Sequence, residues 1–223
     1  VSLTQNIFIL ANNLYICEQT YQKIQNKEDE MKKVLLVIAL PMCLVMGQDQ
    51  PELPGWGVYG GIVMASASGD SIDGVEAVNL PAFGVSRGVM LGGLPMSVGV
   101  GIHGRGYHME SEGMHVELKA NYLDLWAQVP YPVGPLFLGV GGHVGAFIGG
   151  TQKLEVDFMG YEFSEEADLE SDALGLDFGV NLGVYYPIGD TGAQVGAFYI
   201  LGLAEPAEGI KFNGLFLNAG YSF

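Results

Sequence analysis

Cysteine and basic side chains are the scarcest features of this chain. Two cysteines, Cys17 and Cys43, stand among 223 residues, and nine Lys and Arg face 25 Asp and Glu, for a net charge of −16. A phosphate backbone needs a basic surface, so nucleic acid is excluded as a partner. Charge of either sign is sparse, at 15% of residues against about 25% in an ordinary soluble domain. A surface in water is hard to cover with so little charge, and the mean hydropathy is positive.

Long apolar runs are missing too. The longest lies in "MKKVLLVIALPMCLVMGQDQ", from Val34 to Met46, and it is too short for a spanning helix. Lys32 and Lys33 precede it, and Val45 and Gly47 supply small residues before Gln48. Positive start, short apolar stretch and small-residue cut site make a secretory signal peptide over 31–47. Met42 is too large to precede a lipidated Cys43. Residues 1–30 are then an upstream start or translated leader, and residues 48–223 form the mature protein. Both cysteines fall outside it, which removes disulfides and Cys-ligated metals. The mature chain holds five basic side chains against 21 acidic ones, 5 − 21 = −16.

Catalytic motifs are also missing: no G-x-S-x-G, H-E-x-x-H or P-loop occurs. "GVGGHVGAFIGG" repeats glycine inside a strand pattern with no helix behind it, so it marks no nucleotide site. The chain is expected to be no enzyme and to carry no cofactor.

Glycine is abundant, 34 residues, and period-two alternation dominates from Trp56 onward. In "LGLDFGVNLGVYY" (174–186), Leu, Phe and Val fill one face, with Gly, Asp177 and Asn181 on the other. The same scheme covers 136–148, 194–203 and 214–223. Four further strands are expected at 56–66, 80–90, 96–109 and 114–128. In the last of these, Val116, Leu118, Ala120 and Tyr122 oppose Glu117, Lys119 and Asn121, and a bulge is expected near 123–125. Short Pro/Gly turns (90–95, 129–135, 187–192) alternate with mostly longer acidic connections (67–79, 110–113, 149–173, 204–213).

Eight strands can build a soluble ligand-binding barrel or a membrane barrel. In the soluble barrel, the face opposite the apolar one meets water. Here that face is mostly glycine with scattered polar groups, which suits a cramped lumen, while the branched apolar face suits lipid. Trp56, Tyr59, Trp126, Tyr131, Tyr185, Tyr186 and Tyr221 lie near strand ends, where interfacial aromatic girdles belong. The expected fold is an all-β, closed antiparallel eight-stranded transmembrane up-and-down β-barrel.

"YLDLWAQVPYPVGPLFLGVGGHVGAFIGG" (122–150), "ALGLDFGVNLGVYYPIGDTGAQVGAFYILGL" (173–203) and the ending "GLFLNAGYSF" resemble the outer-membrane β-barrel domain family of PorT-like and OmpX/OmpA-like small proteins. The resemblance spans 55–223. It implies residence in the outer membrane of a Gram-negative bacterium, with lipid and lipopolysaccharide as surroundings. It also implies that Leu215, Leu217, Ala219, Tyr221 and Phe223 are a terminal signal read by the barrel-assembly machinery.

Charges inside a narrow barrel need partners. A lumen network of Arg105, Glu117, Lys119, His143, Asp177 and Asn181 is expected, with Arg105 paired to Glu117 and the lumen plugged. His103, His108 and His115 flank the 110–113 hairpin but are taken as unliganded, so no metal site is assigned. The acidic stretch 154–172 is a solvated loop with room for divalent cations. The role read from these features is structural or surface-interacting through acidic loops, with a small-solute or ion channel as the alternative.

Overall fold

The computed structural model describes residues 55–69, 74–111, 113–158 and 161–223. The segments expected as leader (1–30) and signal peptide (31–47) lie outside the described residues. Ten strands follow one another: β1 (Trp56–Ser68), β2 (Val75–Glu76), β3 (Val78–Leu91), β4 (Leu94–Ser111), β5 (Met114–Val133), β6 (Leu136–Phe158), β7 (Tyr161–Asp168), β8 (Asp177–Pro187), β9 (Ala193–Gly202) and β10 (Lys211–Ser222).

Eight of them pair antiparallel on both edges, in the order β4–β3–β1–β10–β9–β8–β6–β5, and β5 returns to β4. The hydrogen-bonded circuit is therefore an eight-stranded ring. Its first and last strands meet in the same ladder, from Gly57 opposite Ser222 to Ser68 opposite Lys211. The eight expected strands correspond to these eight. The two-residue β3–β4 connection uses Gly92 and Gly93, both with positive φ (59° and 84°). That left-handed pair is what the tightest hairpin turns require, and glycine takes it without a Cβ penalty.

Three expectations need correction. First, 149–173 is not simply a loop. β6 runs through it to Phe158 and β7 returns along it, with Thr151 opposite Asp168 and Lys153 opposite Glu166. Main-chain pairing needs no apolar face, so a hairpin rich in acidic residues forms where composition suggests loop. Second, the bulge lies on β6, not β5. Asn121 faces Gly149 and Tyr122 faces Phe147, which leaves Ile148 as the extra residue. Third, the faces of β5 are inverted. Leu118, Ala120 and Tyr122 are buried inside the ring, while Glu117 and Lys119 lie on its outer face. The apparent loss of register at 123–125 is a change of chemistry: Asp124 continues the inner row, and Leu123 and Leu125 turn outward.

The ring is inside-out relative to a soluble domain. Phe83, Leu125, Phe178 and Leu182 are exposed on the outer face, each by more than half, whereas Arg105, Asp124 and Asp177 are almost wholly buried within. Among the aromatics expected in girdles, Trp56, Tyr186 and Tyr221 point outward, but Tyr59, Trp126 and Tyr185 serve the interior.

Among the described residues, two apolar clusters lie inside the ring. One joins Val63, Leu80, Ala82, Phe198, Ile200 and Phe216; the other joins Tyr107, Leu118, Tyr122, Leu174 and Phe212. The inner glycines make room for these large side chains. A Cβ at Gly84 or Gly101 would collide with the Tyr59 hydroxyl, and one at Gly99 would run into the Trp126 indole. Small beside large on neighbouring strands is how a narrow barrel packs.

Chain tryptophans number two, so replacing Trp56 leaves Trp126 as sole reporter. In a Trp56→Phe background, Gly99→Val should red-shift the emission and destabilise the fold by about 1–3 kcal/mol, the usual scale of overpacking. Unchanged emission would show that the glycine is not what seats Trp126.

Candidate functional site

The interior chemistry is built around Arg105 of β4. Its Nε donates to Asp177 Oδ2 of β8 at 2.7 Å, and its Nη2 donates to Asp124 Oδ2 of β5 at 2.8 Å. The guanidinium carbon lies 5.6 Å from the Tyr122 ring centroid, a cation–π distance. An arginine fits this place because its planar fork serves two carboxylates at once and stays charged when buried.

Histidines extend the chain of contacts both ways. His103 Nδ1 donates to Asp124 Oδ2 at 2.6 Å, and Nε2 lies 3.0 Å from the Tyr59 hydroxyl. That hydroxyl accepts the Trp126 Nε1 proton at 2.8 Å. On the other wall, His143 sits 2.9 Å from Asn181 Oδ1 and 3.4 Å from Asp177 Oδ2. The remaining oxygen of each carboxylate, Asp124 Oδ1 and Asp177 Oδ1, has no hydrogen-bond partner among the described residues. Gly145 is needed beside Asp124, since a Cβ there would meet that free oxygen.

Of the residues expected in a lumen network, Arg105, His143, Asp177 and Asn181 come together. Glu117 and Lys119 do not join them: they form a 2.6 Å ion pair with each other on the outer face. Arg105 therefore pairs with Asp124 and Asp177 in place of Glu117. Tyr59, His103, Asp124 and Trp126 are members that sequence reasoning missed. Continuing the inner row of β5 two residues past Tyr122 would have found Asp124.

The second apolar cluster adjoins the network through Tyr122. Leu174 is buried in the second apolar cluster, and Tyr122 donates from its hydroxyl to the Gly175 carbonyl at 3.2 Å. On the side of the short turns, a cavity of mixed character bordering the network is lined by Gln128, Asn181, Gln194 and Asn218 alongside Trp126, Tyr185 and Phe198.

The histidine trio near the hairpin divides. His103 belongs to the network, while His108 and His115 stay at the hairpin with Glu110 between them. Acidic side chains crowd this end of the ring: Glu110, Glu155, Glu165, Glu166, Asp168, Glu170 and Asp172 among them. Asp157 and Glu162 of the same stretch lie where side chains are outside the described residues. Lys153 offsets part of this charge: its ammonium is 2.8 Å from Glu155, and that hydrogen bond holds the Glu155 carboxyl below the usual carboxylate range. At the opposite end, Asp190 is the one acidic side chain among the described residues.

No family model matches the chain, and no curated protein matches it. Solved structures with a related course of chain include Neisserial surface protein A (14% identity, covering 78% of this chain and 100% of that one, TM-score 0.43). Ail, the attachment invasion locus protein of Yersinia pestis, is 13% identical and covers 76% of this chain and 99% of its own, with a TM-score of 0.43. The N-terminal β-barrel domain of Pseudomonas aeruginosa OprF is 11% identical over 77% and 100%, with a TM-score of 0.32. Likeness of this degree transfers no function.

Removing Arg105 alone leaves two buried carboxylates without their shared cation, with only His103 and His143 beside them. Arg105→Met should cost about 3–5 kcal/mol, the usual penalty for breaking a buried pair, read from urea unfolding of the folded protein. Adding Asp124→Asn and Asp177→Asn should recover much of the loss. A triple variant as unstable as the single one would mean that the side chains matter for shape and not for charge.

Proposed function

We propose that this chain is a non-enzymatic β-barrel of the Gram-negative outer membrane, with a structural or surface-interaction role. One observation carries the reading: the ring exposes its branched apolar side chains and buries its ions. Water would penalise that arrangement, and hydrocarbon favours it. A ring without free edges satisfies every strand's backbone groups where no water can. Short turns at one end and longer acidic hairpins at the other fit the periplasmic and external ends of such a barrel, and the secretory segment at 31–47 supplies a route of export.

Within this reading the acidic hairpins face outward to lipopolysaccharide or a partner, and divalent cations bridge their carboxylates to its phosphates. The charged layer and the apolar cluster around Leu174 would oppose free passage, which favours a surface role over a channel. The outward row Leu215, Leu217, Ala219 and Tyr221 is exposed along β10, Phe223 is exposed just after it, and in this reading the five serve as the signal to the assembly machinery.

The folded barrel should migrate differently on SDS gels before and after boiling and should remain in the membrane pellet after carbonate washing. A soluble protein with one mobility under both conditions would sink the proposal. Planar bilayers containing it should show no steady single-channel conductance; a reproducible unitary current would instead favour the channel.

Deleting Phe223 should lower the folded, heat-modifiable fraction in membranes. Wild-type levels of inserted protein would remove Phe223 from the assembly signal.

A further inference from the structure

The β4–β5 hairpin carries a chemistry that the lumen does not use. Glu110 pairs with His115 across the ladder, and His108 pairs with Glu117, one ladder step of two residues nearer the ring. Cross-strand partners share a face, and residues two apart along a strand share it too. All four side chains therefore stand on the outer face of the hairpin. One ligand atom each from His108, Glu110 and His115 lies within 4.8 Å of the others. The two imidazoles are 6.0 Å apart by ring centroid and tilted 35°, so they are not stacked on each other.

Among the described residues no hydrogen bond or ion pair reaches His108, Glu110 or His115 from outside the trio, although Glu76 and Glu117 stand opposite His108 and Glu155 opposite His115. Lys119 is held by Glu117 at 2.6 Å and Lys153 by Glu155 at 2.8 Å. Glu110 has a looser partner, with His115 Nε2 at 3.7 Å, beyond hydrogen-bond range. Two histidines and a carboxylate are thus presented together, while the neighbouring lysines are occupied by other acids.

We propose that His108, Glu110 and His115 form a binding site for a divalent transition-metal ion, of which zinc is the representative. Two imidazole nitrogens and one carboxylate oxygen are a donor set that zinc, copper and nickel accept, and calcium and magnesium do not prefer. Ligands at about 2.0–2.1 Å from a tetrahedral ion stand about 3.4 Å apart, so small side-chain rotations close the present spacing. The hairpin's paired backbone holds the three Cα positions in place, and the fourth position remains open to water or to a donor from another molecule. The site is distinct from the bridging of hard cations by the acidic β6–β7 hairpin. It also stands whether or not the ring lies in a bilayer.

Zinc binding to the untagged full chain, kept folded in mild detergent, tests the site by competition with a chromogenic chelator. One zinc ion per chain is expected, with calcium in large excess unable to displace it. His108→Gln and His115→Gln should each weaken binding about tenfold or more, and Glu110→Gln should weaken it in the same direction. Cobalt in place of zinc should give visible absorption that disappears in the His108→Gln/His115→Gln variant. Heat-modifiable mobility of each variant confirms its fold, which separates a failed site from a failed barrel. Equal zinc affinity in the double histidine variant, or displacement by calcium, would overturn the proposal.

Discussion

The interior of this ring is organised by one cation held between two carboxylates. Arg105, Asp124 and Asp177 come from β4, β5 and β8, and the histidines and tyrosine bonded to them add β6 and β1. Five of the eight ring strands are tied through a single charged layer. In low dielectric an unpaired member would be costly, so the strands must arrive at one register for any of them to be satisfied. Buried ion networks are often replaceable by apolar groups of equal volume without loss of stability, so such a layer contributes as a constraint on register as well as through its own attraction.

Everything else in the lumen follows from fitting that layer into a narrow space. Tyr59 and Tyr122 border it, one packed on each apolar cluster. The glycines of β3, β4 and β6 are the complement of those large groups. A residue type that reads as flexibility in isolation works here as space for a neighbour's ring or carboxylate.

Period-two alternation made the eight ring strands legible, because each has one face of markedly different chemistry. Alternation names which residues share a face but not which face is inside. On β5 the outer row carries Glu117 and Lys119 near the hairpin, and only lower down Leu123 and Leu125, so its polarity reverses along the strand. Asp124 was hidden by that reversal. Arg105 and Asp177 were recognisable as buried charges, yet their partnership crosses the lumen between residues 72 apart, and no local spacing encodes it. The β6–β7 hairpin was missed because its acidic composition imitates a loop, while its pairing depends on backbone alone.

The long strands of that region give the molecule a front and a back. β8 pairs with β6 no further than Asp177 opposite Gly145, whereas β6 continues to Phe158 beside β5 and β7. The rim is therefore high along β4 to β7 and low along β8 and β9. A body with such a parapet is not interchangeable under rotation about its own axis. Any neighbour beside it would meet a wall on one side and an opening on the other, so the unequal strand lengths make the ring's sides distinguishable.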